Sequence, residues 1–148
     1  MRLIEKILIV ILIILITAVL LERSKENKEI SLNIERLLID KNVTTVDASK
    51  LISKDWDKIC ALGPYASAQG FKRQTGFDWN VELYTSFDSE DFTLLTFIKD
   101  NSVVEFSEYP IMKGSIINGC ATNNKASLKI NRSKDKLNRD ELVLINKN

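Results

Sequence analysis

An uncharged run of fifteen residues, Ile7 to Leu21, with Thr17 its only polar member, constrains this 148-residue chain more than any other feature. A helix that is apolar on every face has nowhere to bury itself in so small a protein. At about 1.5 Å per residue the run reaches about 22 Å, short of a hydrocarbon core of about 30 Å. Adding Leu3 and Ile4, with Glu5 and Lys6 snorkelling to the interface, nearly closes the gap. The run therefore predicts either the apolar region of a signal peptide or a short membrane anchor. Cleavage calls for small residues at the last and third-last positions, yet Ile16 stands two places before Ala18, and no cysteine lies near for a lipid anchor. The reading adopted is an uncleaved signal anchor over residues 1–21, a charged linker or first helical turn over 22–29, and one extracytoplasmic domain over 30–148. Counting Lys and Arg on the two flanks does not settle orientation, since Arg2 and Lys6 face Arg23, Lys25 and Lys28. A short basic segment before an apolar run is what export machinery reads. The expected place is a bacterial inner membrane, crossed once, with the C-terminal domain in the periplasm or outside the cell.

Composition removes several chemistries. There is no histidine, so Ser-His-Asp and Cys-His catalysis, His-bearing zinc sites and histidine pH switching are excluded. Two cysteines cannot build a four-cysteine zinc site. A net charge of +1 carries no signature of a nucleic-acid partner. No catalytic residue, metal or cofactor is expected.

Beyond the linker, Ile30, Ile34, Leu37 and Leu38 recur at helical spacing, which predicts an amphipathic helix ending near Lys41 and Asn42. Val43 to Val46 reads as extended, and Asp47 as the cap of a single turn over Ala48 to Ile52. Trp56 to Leu62 reads as a strand stopped by Gly63-Pro64. A short helix and loop follow Tyr65, then a strand over Val81 to Thr85. Phe92 to Ile98, apolar on both faces, pairs with Val103 to Tyr109 across the turn 99–102, with Val104 and Phe106 on one face and Glu105 and Ser107 on the other. A second hairpin pairs Ala126 to Asn131 with Leu142 to Asn146. Helices at the front and antiparallel strands behind predict an α+β domain with one or two helices packed on one face of an antiparallel sheet.

Within the stretch KDWDKICALGPY, Cys60 is either half of a disulfide with Cys120 or a small buried apolar residue. A bridge would close a loop of about sixty residues, worth about 4 kcal/mol in the chain-entropy account. A catalytic thiol needs a group that lowers its pKa, and Lys58 is the nearest cation in sequence. Asp55 and Asp57 could hold a divalent ion or act as acid and base, but Asp55 reads more simply as the cap of the turn entering the strand. Asp88-Ser89-Glu90-Asp91 lacks the glycine bend and ligand alternation of a calcium loop.

Two surface features carry the functional reading. Residues 78–108 hold eight acids and one base, Lys99, while 113–148 hold eight bases and three acids. Either the blocks neutralise each other, or Asp88, Glu90, Asp91, Glu105 and Glu108 present an acidic surface to a basic partner. The aromatics Trp56, Tyr65, Phe71, Phe77 and Trp79 fall mostly to the core, and Trp56, Tyr65 and Trp79 are the candidates to anchor a partner.

The order DWDKICALGPY, then GF-DW, then FTLLTFIKDNSVVEFSEYP resembles a family of small uncharacterised bacterial envelope proteins. Its members carry a signal or lipid anchor and a WDKVY..GPY, GF.W, LVF.KDGKVV...EYPR pattern. The likeness covers residues 55–110. It implies an exported domain with no catalytic residues to carry over. Two departures stand out: Ile111 occupies the place of the arginine after Tyr-Pro, and Asn101-Ser102 replaces the glycine turn.

These features together predict a membrane-anchored extracytoplasmic binding domain without catalytic activity, attached through residues 1–21. Inhibition of, or immunity to, a secreted basic protein is its specific form, by analogy alone. The alternatives are an envelope enzyme using Cys60, Asp55 and Asp57, and an oligomeric structural protein associating through the anchor and the Ile30–Leu38 helix.

Overall fold

The computed structural model describes residues 3–22, 26–80, 84–85, 89–122, 126–132 and 139–146. Helix α1 runs over Leu3–Glu22, and its side chains are described from Glu5 to Thr17. From Ile7 to Ile16 every apolar side chain is exposed, as expected of a helix apolar all round. Among the described residues, however, no helix is long and apolar enough to cross a membrane. The span expected over 1–21 is therefore not shown.

The rest is an α+β domain built from two four-stranded sheets. The first contains β2 (Lys58–Leu62), β3 (Phe92–Lys99), β4 (Ser102–Pro110) and β6 (Gly119–Thr122), in the order β4-β3-β2-β6 and antiparallel throughout. The second contains β1 (Thr45–Asp47), β5 (Ser115–Ile117), β7 (Ala126–Asn131) and β8 (Glu141–Asn146), in the order β1-β7-β8-β5, with β5 parallel to β8. The single sheet expected from the sequence is thus two. The chain changes sheet between β5 and β6 at Asn118, whose side-chain oxygen accepts a hydrogen bond from the Gly63 amide. A side chain at position 63 would collide with that oxygen, since a Cβ there would lie 2.6 Å from it.

Both sheets bury one face in a common core. Ile59, Leu95 and Phe97 meet Val46, Leu128 and Leu142 there, and helix α2 (Lys28–Ile39) closes one side with Ile30, Ile34 and Leu38. Leu37, expected in that stripe, is exposed, and Ser31 takes a buried place instead. The other face of the first sheet is also covered. Cys60, Leu62, Leu94 and Phe106 pack there under α3 (Ala68–Thr75) and its Phe71. This double burial explains why β3 is apolar on both faces.

Local signals set the element ends. Asn27 caps α2, its side chain accepting from the Glu29 amide at 3.1 Å. Lys28 and Glu29 are therefore first-turn residues and not linker. Asp47 caps a 3₁₀ turn over Ala48–Lys50, shorter than the turn expected. Ser67 starts α3, and Gly76, at φ 91°, ends it in the left-handed conformation that glycine adopts without cost. Asp100 and Asn101, at φ 48° and 55°, form the two-residue β3–β4 turn, where Asp and Asn tolerate positive φ.

Several expectations need correction. The register of β3 and β4 shifts between Phe97 and Ile98, leaving Val104 as the extra residue of a bulge. Val104 consequently packs on the shared core, while Phe106 faces α3. The strand beginning at Lys58 excludes Trp56 and Asp57. The strand expected over Val81–Thr85 falls partly outside the described residues, and Tyr84 and Thr85 lie in a turn.

Candidate functional site

Cys60 and Cys120 sit directly opposite each other on β2 and β6, with Cα atoms 4.1 Å apart, and form a disulfide. Of the two readings of Cys60, the bridge holds, and no thiol remains for the enzyme alternative. Lys58, the cation nearest to it in sequence, donates instead to the Thr75 carbonyl at 3.2 Å, fastening the end of α3.

Asp55 and Asp57 converge on one cation. Lys99 Nζ lies 3.1 Å from Asp55 and 3.0 Å from Asp57, and the Asp57 carboxylate also accepts the Asp100 amide at 3.1 Å. These contacts hold the Asp57 carboxyl below its usual range, the Asp100 amide first and the Lys99 ammonium next. The two carboxylates, in turn, raise the Lys99 pKa. The pair therefore pins the β3–β4 turn, and the cap expected from Asp55 gives way to an ion pair. Among the described residues, no group of three or more carboxylate or cysteine side chains is placed to hold a metal ion.

The partner-binding candidates separate into five environments. Trp56 is only 2% exposed and meets the Phe97 ring edge-on at 5.2 Å, so it is a core residue and not an anchor for a partner. Its place before β2 turns it toward the interior between the sheets. Trp79 is half-buried among Phe71, Phe106 and Tyr84 and lids the second cluster. Glu105 is taken internally: it pairs with Lys54 at 3.2 Å and accepts from the Asn27 amide side chain at 3.1 Å. Tyr65 is 67% exposed, holds φ 59° and donates its hydroxyl to Glu90. That carboxylate raises the phenol pKa. Asp88 lies outside the described residues.

Asp91 and Glu108 belong to a different place. They line an open groove of about 420 Å³ between α2 and the ends of β3 and β4. Glu26 and Glu35 complete its acidic rim, with Lys28 as its one base, and Leu32, Phe92 and Pro110 supply apolar surface. The chain before α2 builds the groove by running along β4, the edge strand of its sheet. The Asn27 amide donates to the Phe106 carbonyl at 2.8 Å, and Glu26 accepts the Glu108 amide at 3.4 Å. Glu108 also accepts from the Thr85 hydroxyl.

Among the described residues, two acids of 78–108 find bases close in the fold and not in the basic C-terminal block. Glu105 pairs with Lys54 and Asp78 with Lys72, both outside 113–148. Sequence reasoning found Asp91 and Glu108 but missed Glu26, Leu32, Glu35, Phe92 and Pro110. The available signal was Leu32, an apolar residue off the buried stripe of α2.

Comparisons with protein-family models, with characterised proteins and with solved structures found no match.

Proposed function

We propose that this chain is a membrane-anchored extracytoplasmic binding domain whose acidic groove receives a cationic, apolar segment of a protein partner. The groove is the observation that carries the reading. Four carboxylates rim an apolar floor in the open mouth between α2 and β4. Such a surface complements Lys or Arg side chains whose aliphatic stems lie on the floor while their charges reach the rim. The exposed, apolar α1 supports attachment to a bilayer, and the disulfide suits an exported protein. Inhibition of a secreted basic protein, or immunity to one, is the form of this activity most in keeping with a bacterial envelope location.

Titration of a fluorescent lysine–leucine peptide against the full chain in neutral detergent micelles tests it. Binding is expected to weaken steeply as salt rises, because the Debye length falls from about 30 Å at 0.01 M to about 8 Å at 0.15 M. Asp91→Asn with Glu108→Gln should weaken it about tenfold, if each exposed pair contributes about 0.7 kcal/mol. Equal binding by wild type and double variant at low salt would refute the role of the groove.

A further inference from the structure

The groove has a counterpart on the same molecule. Along α2, one helical turn beyond Glu35, Ile39 is 78% exposed, and Met112, in the 3₁₀ turn Ile111–Lys113, is 82% exposed. They are the two most exposed large apolar side chains outside α1 among the described residues. An ion pair of 3.3 Å between Lys113 and Glu35 ties their two supports together, and Lys41 lies beside Ile39. Glu35 lines both the acidic groove and a smaller depression formed with Leu38, Ile39, Lys41 and Lys113. One continuous surface therefore carries an apolar knob flanked by lysines at one end. At the other end it carries an apolar hollow rimmed by carboxylates. Leu32 and Ile39, seven residues apart, set the two ends about 10 Å apart along the helix.

We infer that this surface takes a second copy of the chain, in a twofold pair with the α2 helices antiparallel across Glu35. This rests on the proposed reading of the groove and names the partner. A twofold axis makes an interface reciprocal, so whatever one copy inserts the other also inserts. Ile39 and Met112 of each copy fill the hollow over Leu32, Phe92 and Pro110 of the other. Lys41 and Lys113 then meet Glu26, Asp91 and Glu108. The cationic, apolar chemistry that the groove selects is the chemistry of this knob. An axis normal to the bilayer lets both α1 helices enter the same membrane, and shared anchoring raises the effective concentration of a weak contact.

The test is co-purification of two differently tagged full-length copies from membranes. One variant, Lys41→Glu with Lys113→Glu, makes both ends acidic. The other, Glu26→Lys with Asp91→Lys, makes the hollow basic. Wild-type copies should co-purify. Each variant should retain itself at least tenfold less, and the two variants should retain each other as wild type does. That cross-recovery also shows both variants to be folded. Failure of wild-type copies to co-purify overturns the inference, as do variants that self-associate undiminished, the result if α1 alone drives association. Loss without cross-recovery also overturns it. In each of these cases, peptide binding that still depends on Asp91 and Glu108 leaves the groove reading standing. Its loss removes both.

Discussion

Breaking the Cys60–Cys120 bridge should cost most of what its loop closure contributes. The bridge spans sixty positions, so the chain-entropy account gives about 4 kcal/mol at 25 °C. Little should offset this in the folded state. The cysteines are register partners on adjacent strands, so β2 and β6 stay hydrogen-bonded after reduction. The pair sits on the α3 side of the sheet, and two alanines there lose only small side chains from the second cluster. The comparison is therefore urea unfolding of the oxidised chain, the reduced chain and the Cys60→Ala, Cys120→Ala variant. With a slope of about 2 kcal/mol per molar urea, the midpoint should fall by about 2 M. The slope should also rise, because the unfolded chain expands once the loop is released. A loss under about 1 kcal/mol, with an unchanged slope, would refute the argument. Alkylation without reduction should label neither cysteine.

Other outcomes follow from single contacts. Arg132 donates to the carbonyls of Leu38, Asp40 and Val43 and pairs with Asp140. Arg132→Ala should cost about 2–3 kcal/mol in denaturant midpoints, and Arg132→Lys should recover little, since an ammonium cannot span the fork. Trp56→Ala should cost about 3–5 kcal/mol while leaving peptide affinity unchanged in folded protein, because the ring faces Phe97. Asp57 has its pKa lowered by folding, so its stabilisation is complete above the unfolded value near 3.8 and is lost as pH falls through the lower folded value. Asp57→Asn should accordingly flatten the acid limb of a plot of urea midpoint against pH. Added lysine–leucine peptide should also displace one tagged copy from another, since both use the same hollow.

Much of the framework was legible where a residue pattern outlasted a few positions. The β3–β4 hairpin announced itself by two long apolar runs around Asp100-Asn101, and α2 by the spacing of Ile30, Ile34 and Leu38. The second sheet was not legible as a sheet. Its β1 and β5 have three residues each, too few for alternation to declare itself. The bulge at Val104 hid the face of the first half of β4, because one extra residue reverses every earlier side chain. Trp56 looked like an anchor because aromatic type alone does not report direction, and that depended on where β2 began. The groove was least legible of all. Its residues come from the start of α2, the start of β3 and the end of β4, from position 26 to position 110. Only Leu32 and Ile39, apolar yet off the buried stripe, hinted that α2 has a second working face.

The most direct test of the central claim locates the peptide on the protein. The full chain in micelles, methyl-labelled at leucine and isoleucine, would be titrated with the lysine–leucine peptide at low salt. The account predicts saturable shifts at Leu32, moved to about tenfold higher peptide concentration by Asp91→Asn with Glu108→Gln, while Leu62 and Leu94 beneath α3 stay fixed. Shifts confined to Leu62 and Leu94, or none anywhere, would contradict it.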